Sequence, residues 1–190
     1  EYMLNAAAWN GPCMPTTKLS PKLAEFTKWR IRERGDDEAG LWHLLTGCPV
    51  DGSEVGLGWI DTLGVRSVKG RHQRSIGGTA VSTMEGGSLT QVVSHEIGHN
   101  LGASHDCSKQ CSCAGITCRE CCPCQSDNSE CDCRGQFLMN PTTNMASLNF
   151  SPCTRRQICS SLQLRPNRVH HESAALTRVH PQGAICGNGV

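Results

Sequence analysis

Two histidines and a glutamate within five residues have the spacing of a metal site. Residues 95 to 99 read His-Glu-Ile-Gly-His. An α-helix turns once in about 3.6 residues, so His95 and His99 project from the same face and can bind one ion together. Glu96 lies beside that face, where its carboxylate can hold a water molecule next to the ion without binding the ion itself. The pattern indicates a metal ion with an acid–base group beside it.

A third histidine completes the set just beyond the helix. Gly102 is expected to end the helix, because glycine adopts the left-handed backbone conformation at little steric cost. His105 follows shortly after this stop. Three histidine ligands leave the fourth position of zinc open, which is typical of catalytic zinc sites and not of structural ones. The alternative is a chance match in which the histidines are only buried or solvated.

The elements around the motif predict a domain that mixes helices and strands. Ser88 is expected to cap the motif helix, whose buried stripe is predicted by apolar residues at helical spacing. That stripe consists of Leu89, Val92, Val93, Ile97 and Leu101. Ser20 and Pro21 predict the start of an earlier amphipathic helix. Strands are expected at residues 41–48, 55–60 and 77–82, and a last helix around residues 157–164.

Two glycines interrupt the second of these strands. Gly56 and Gly58 lie in the run from Val55 to Ile60. Glycine inside a strand suggests that another backbone approaches closely, and a peptide substrate added to the edge of a sheet would do so. A bulge or a tight bend is the alternative interpretation.

The composition limits the classes of partner. The 190 residues carry a net charge of +1, which gives no electrostatic basis for binding nucleic acid or an anionic membrane. No apolar run approaches the roughly 20 residues that a membrane-spanning helix needs. The first residues contain neither an initiator methionine nor a signal peptide, so the chain is expected to be a piece of a longer, processed precursor.

The chain contains 14 cysteines. This even number favours disulfide bonds made in a secretory pathway. Nine of the cysteines lie between Cys107 and Cys133, in a segment too polar to form a core of its own. A second metal cluster is the alternative for that segment, since several of its cysteines have chelating spacings. If these nine cysteines form disulfide bonds, at least one of them must pair with a cysteine outside the segment, because nine is an odd number. Cys153 and Cys159 are the nearest candidates.

Further segments add to the zinc motif. Asp106 follows the third histidine directly, and residues 54–59, 78–82, 138–141 and 150–153 accompany it. Together these residues resemble the reprolysin, or adamalysin, branch of the metzincins, which comprises the catalytic domains of ADAM proteins and snake-venom metalloproteases. The cysteine-rich segment and the residues from Met139 onward are most similar to fungal ADAM-like members.

The resemblance implies a zinc endopeptidase of α/β class, with a twisted, mostly parallel sheet, an active-site helix and a disulfide-rich C-terminal subdomain. It also implies a methionine beneath the zinc site, for which Met139 is the first candidate and Met145 the weaker one. It assigns substrate binding to an edge strand and to a pocket for the residue after the cut. These residues are Val55, Gly56, Leu57 and Gly58 on the strand, and Asn140, Pro141 and Thr142 at the pocket.

The resemblance further implies how the chain is organised. Residues 1–164 are expected to form an N-terminally truncated metalloprotease catalytic domain, residues 165–184 a linker, and residues 185–190 the start of a disintegrin domain. The expected location is outside the cell or on the outer face of the plasma membrane. The resemblance is compatible with a parent protein anchored in the membrane, although this chain contains no predicted membrane span.

The predicted activity is therefore zinc-dependent hydrolysis of peptide bonds in extracellular or cell-surface proteins. His95, His99 and His105 would hold one Zn²⁺, and Glu96 would act as general base. One alternative is an inactive cysteine-rich adhesion or scaffold module with a structural or vestigial zinc site. Another is a thiol-rich protein that binds several metal ions.

Overall fold

The computed structural model describes residues 8–13, 18–34, 38–50, 54–65, 68–69, 75–84, 88–106, 135–141 and 147–164. The predictions about the segment from Cys107 to Cys133, about Thr142 and Met145, and about residues 165–190 lie outside the described residues.

The described residues form three α-helices and five short strands. The helices are α1 (Leu19–Glu33), α2 (Leu89–Asn100) and α3 (Pro152–Leu164), and a short 3₁₀ helix spans Ala8–Asn10. The strands are β1 (Trp42–Thr46), β2 (Gly56–Gly58), β3 (Val68–Lys69), β4 (Ser75–Ile76) and β5 (Thr79–Thr83). Among the described residues, no helix is long and apolar enough to cross a membrane.

Strands β1, β5 and β2 form one sheet with β5 in the middle. Strand β1 is parallel to β5, with Trp42 opposite Thr79, and β2 is antiparallel to β5, with Gly56 opposite Ser82. Strands β3 and β4 form a separate antiparallel pair. The predicted mixed α/β class is confirmed. In the described part of the sheet, however, parallel and antiparallel pairing are equally represented.

Helices α1 and α2 lie on opposite faces of this sheet. Leu57 packs against the core that Leu19 and Leu23 of α1 form with Val81. The residues on either side of Leu57 face α2, because successive residues of a strand point to opposite faces. A Cβ atom on Gly56 would point at the side chain of Glu96. The motif helix therefore lies directly on the sheet.

Arg30 anchors α1 to the sheet through a buried charge. Its guanidinium donates hydrogen bonds to the backbone carbonyls of Gly78 and Ala39, and its side chain is only 3% exposed. A Cβ atom at Gly78 would lie 2.5 Å from the carbonyl oxygen of Gly40. The backbone before β5 is thus held at a distance that only glycine permits.

Two helix starts differ from the prediction. Helix α1 begins at Leu19, one residue before the expected cap Ser20, and no side chain caps it. Helix α3 begins at Pro152, well before the expected residue 157. Its cap is Ser151, whose Oγ accepts a hydrogen bond from the backbone N–H of Thr154 at 3.0 Å. Ser151 followed by Pro152 was the sequence signal for this helix start, because serine caps helices and proline favours their first position.

The predicted apolar stripe of α2 is only partly correct. Val92 is buried, but Leu89, Val93, Ile97 and Leu101 are only partly buried. Apart from Val92, the buried residues of the helix are mainly polar and comprise His95, Glu96, His99 and Asn100, together with Gly98. Gly102 has the expected positive φ, 105°, just after the helix ends. The stop is therefore confirmed, and the face that packs inward carries the chemistry.

Asn100 fixes the C-terminal end of α2 to the sheet. Its Nδ2 donates to the carbonyl oxygens of Trp59 at 2.9 Å and Thr79 at 3.1 Å, and lies 3.2 Å from Thr62 Oγ1. The backbone carbonyl of Asn100 accepts hydrogen bonds from the N–H groups of Thr62 and Leu63. One buried amide thus holds the motif helix, the end of β2 and β5 together.

Replacing Asn100 with alanine should destabilise the domain. The change removes one donor from each of the carbonyls of Trp59 and Thr79, which keep a second donor in Thr62 Oγ1 and Trp59 N respectively. A buried hydrogen bond contributes about 0.5–1.5 kcal/mol, so we expect a loss of about 1–3 kcal/mol in chemical denaturation. Asn100→Asp, which keeps the size but removes the donors, should be at least as destabilising. A loss below about 0.5 kcal/mol for Asn100→Ala would contradict this role.

Candidate metal and catalytic site

The three histidines of the motif converge on one point. His105 Nε2 lies 3.1 Å from both His95 Nε2 and His99 Nε2. Four-coordinate zinc with bonds of about 2.0–2.1 Å requires its nitrogen ligands to be roughly 3.3 Å apart. Among the described residues, these histidines are the one group of three potential metal ligands. The donor set and its spacing fit a zinc ion with one position left open.

The backbone fixes which ring nitrogens face the centre. His95 Nδ1 lies 2.7 Å from the carbonyl oxygen of Leu138, and His99 Nδ1 lies 2.8 Å from that of Ala103. A carbonyl only accepts hydrogen bonds, so both rings must carry their proton on Nδ1 and present a lone pair at Nε2. His105 Nε2 has one proton at most and cannot satisfy both lone pairs. A cation at the centre satisfies all three nitrogens.

Burial keeps the three rings neutral. Desolvation, aided by the neighbouring His99, lowers the pKa of His95 to about 3 and that of His105 to about 4. Burial likewise lowers the pKa of His99. Neutral imidazole is the form that binds metal, so the site is ready to bind an ion at neutral pH.

Glu96 lies against strand β2, next to the triad. Its side chain is 4% exposed, and burial together with the carboxylate of Glu54 raises its pKa to about 8. Within the described residues, its Oε2 has no hydrogen-bond partner. A raised pKa makes the ionised carboxylate a stronger base, and a zinc ion bound beside it would favour that ionised form.

Met139 packs against the motif helix at Gly98. It is completely buried, and a Cβ atom on Gly98 would come within 2.5 Å of its sulfur. Gly98 directly precedes His99 and follows His95 by three residues, so the sulfur packs against the helix that carries both predicted ligands. The glycine at position 98 could have indicated from the sequence that another group packs closely against the helix there.

Asp106 ties the third histidine to helix α3. Its Oδ1 accepts hydrogen bonds from Ser151 Oγ at 2.6 Å and Thr154 Oγ1 at 3.2 Å, and its N–H donates to the carbonyl of Met139. Burial raises the pKa of Asp106, while these two hydroxyl donors act in the opposite direction. The sequence marked Asp106 only as a family feature and gave no partner for it.

The predicted substrate residues have different locations. Gly56, Leu57 and Gly58 form β2, immediately after Val55; Gly56 and Gly58 face Glu96, whereas Leu57 faces helix α1. Asn140, which directly follows Met139, is buried, and Pro141 is exposed. The structure therefore brings the strand residues to the site, and connects the Asn140 segment to it through Met139.

The comparisons with known proteins agree with this geometry. Residues 4–164 match the model of the reprolysin-like metallopeptidase family M12B. The chain is 38% identical to disintegrin and metalloproteinase domain-containing protein B of Aspergillus fumigatus, over 96% of this chain and 22% of that protein. It is 30% identical to zinc metalloprotease mde10 of Schizosaccharomyces pombe, over 93% of this chain and 36% of that protein.

A snake protein is similar at a greater distance. The zinc metalloproteinase-disintegrin-like brevilysin H2a of Gloydius brevicauda is 28% identical over 91% of this chain and 35% of that protein. The chain thus spans between about a fifth and about a third of the length of these curated relatives. The family model covers most of the chain and includes the histidine triad, and zinc is the metal of this family. The chain belongs to the reprolysin-like M12B family of zinc metallopeptidases.

Proposed function

We propose that the protein is an endopeptidase in which His95, His99 and His105 hold the catalytic zinc and Glu96 is the general base. The observation that carries this proposal is the convergence of three neutral histidine nitrogens, with a buried carboxyl group directly after the first of these histidines in the chain. Membership of the family makes peptides or proteins the substrate class. We further propose that these substrates are extracellular or cell-surface proteins.

Each residue of the site has a defined task in this reaction. When bound, zinc supplies a Lewis acid that polarises the substrate carbonyl and acidifies water. Glu96 takes a proton from the attacking water as its oxygen bonds to the carbonyl carbon. Glu96 then gives this proton to the amine nitrogen as the C–N bond breaks. Met139 and the carbonyls that hold the rings keep the ligands in place.

Strand β2 is the proposed binding edge for the peptide. Val55 O accepts a hydrogen bond from Thr83 N, and Trp59 N donates to Thr79 O. In antiparallel pairing, hydrogen-bonded residues alternate with residues whose N–H and C=O groups point the other way. Gly56 and Gly58 therefore direct their backbone groups away from β5, on the side where the described residues contain no further strand.

An extended substrate can pair with this free edge through its main chain. We propose that Val55, Gly56, Leu57 and Gly58 form this binding edge, with the main-chain groups of Gly56 and Gly58 available to pair with the peptide. Asn140, Pro141 and Thr142 are proposed to form the pocket for the residue after the cut. Asn140 and Pro141 directly follow the methionine that packs under the motif helix, which supports this assignment.

We infer the wider organisation from the same family. Residues 1–164 would belong to a catalytic domain with a mostly parallel sheet and a disulfide-rich C-terminal subdomain. Residues 165–184 would be a linker, and residues 185–190 the start of a disintegrin domain. Disulfide bonds at Cys13–Cys48 and at Cys159 support folding in the secretory pathway and a location outside the cell or on its surface.

The alternatives are less compatible with the site. An inactive scaffold needs the three histidines but has no use for a buried carboxylate beside them. A thiol-rich metal-binding protein needs free thiolates, whereas Cys13, Cys48 and Cys159 are disulfide-bonded.

Glu96→Gln should abolish most of the activity while the metal stays bound. The amide has nearly the same shape but cannot accept the proton, and general bases contribute about 10²–10⁴-fold to rate. We expect kcat/KM for a peptide substrate to fall by that factor in the whole protein, with one zinc per chain retained. Glu25→Gln, the same change on the exposed side of α1, is the matched control. Full activity in Glu96→Gln would refute the assignment.

His99→Ala should remove the metal. The loss of one of three ligands is expected to lower the zinc content of the purified, unreduced protein from one per chain to well below one. His43→Gln changes a histidine outside the triad, whose ring contacts Ser82, and should keep the zinc. Metal analysis combined with thiol titration is the measurement. Several zinc ions per chain with many free thiols would contradict the single-site, disulfide-bonded protein.

A further inference from the structure

Gly56 provides the space that the carboxylate of Glu96 occupies. A Cβ atom on Gly56 would lie 2.5 Å from Glu96 Oε1, 2.8 Å from its Cγ and 2.9 Å from its Cδ. All three distances are shorter than van der Waals contact allows. Any residue other than glycine at this position would displace the end of the glutamate side chain.

Gly58, two residues along the same face, meets a different part of Glu96. A Cβ atom there would lie 2.8 Å from the backbone carbonyl oxygen of Glu96 and 3.3 Å from its Oε2. An added methyl group at Gly58 would therefore press on the helix itself, whereas one at Gly56 would press on a side chain. The two glycines can thus be separated by experiment.

The carboxylate has few other constraints. Within the described residues, its Oε2 has no hydrogen-bond partner, and its side chain is almost fully buried. Packing against β2 therefore constrains the position of this carboxylate. The same strand directs the backbone groups of Gly56 toward the free edge of the sheet.

We propose that Gly56 is a positioning residue for peptide hydrolysis. Because it has no side chain, Gly56 holds the carboxylate of Glu96 between the three histidines and the strand on which the peptide lies. This inference rests on the proposed function, in which Glu96 is the base. It differs from the assignment of Gly56 to substrate binding, which involves only its backbone groups.

Gly56→Ala in the whole protein tests this role. We expect kcat to fall about 10- to 100-fold, because a displacement of about 1 Å can cost that much. KM should change by less than about threefold, and zinc should stay at one per chain, because no ligand moves. Gly47→Ala is the matched control, since a Cβ atom there meets only the flexible end of Met84, at 3.3 Å. Gly47→Ala should leave kcat, KM and the zinc content unchanged.

Gly58→Ala separates positioning from folding. Since its methyl group presses on the backbone of α2, it should lower the melting temperature clearly more than Gly56→Ala does. Loss of zinc in Gly56→Ala, or a fall in melting temperature as large as that of Gly58→Ala, would overturn the proposal, because Gly56 would then serve the fold.

A double-mutant cycle with Glu96→Asp gives the decisive readout. Aspartate is one methylene shorter and leaves room for the methyl group that Gly56→Ala adds, so the effects of the two changes should not add. We expect Gly56→Ala to lower kcat less than about threefold in the Glu96→Asp background. If Gly56→Ala lowered kcat by the same factor in both backgrounds, Gly56 would act on the substrate and not through Glu96. Failure of the proposed function would be seen separately, as full activity in Glu96→Gln.

Discussion

Two backbone carbonyls determine the metal site. Leu138 and Ala103 each accept a hydrogen bond from the Nδ1 of a motif histidine, which leaves the Nε2 lone pairs of both rings directed at His105. A free imidazole exchanges its proton between the two nitrogens and rotates about its χ angles. The carbonyls remove both freedoms before any ion arrives. The turn after Gly102 and the segment that ends at Met139 thus belong to the site, although they provide no ligand.

Helix α3 supports the turn that carries the third histidine. Asp106 accepts hydrogen bonds from Ser151 and Thr154 at the start of α3. Ser104 and Gln157 exchange two hydrogen bonds, at 3.0 and 2.9 Å. The carboxylate of Asp106 lies near the positive end of a helix, where negative charge is stabilised. His105 is therefore held from both sides, although its own segment has no regular secondary structure.

The sequence predicted the local chemistry of the site well and its packing poorly. The shared face of His95 and His99 follows from helix geometry, and the stop at Gly102 brings His105 into the same short segment, so all three could be predicted from local sequence. The bonds of Asn100 and Asp106 connect residues about 20 to 50 positions apart, and no local pattern encodes such a distance. The prediction that the apolar stripe of α2 is buried was only partly correct for the same reason. Its buried face is chosen by the sheet beneath it, and buried polar groups with partners are compatible with that face.

Glycine shows most clearly what a single sequence leaves out. The glycines of β2 correctly indicated that something comes close, and a peptide backbone was the predicted neighbour. The structure shows the glutamate of α2 in that space. The two interpretations do not compete, because the missing side chain points to one face of the sheet and the backbone groups point along its plane. One residue type therefore serves two neighbours at right angles, the base on one side and the binding edge on the other. Gly98 is a second example, since its missing side chain leaves room for Met139 against the helix that carries both ligands. A glycine in a sequence indicates close approach, but only the fold identifies the group that approaches.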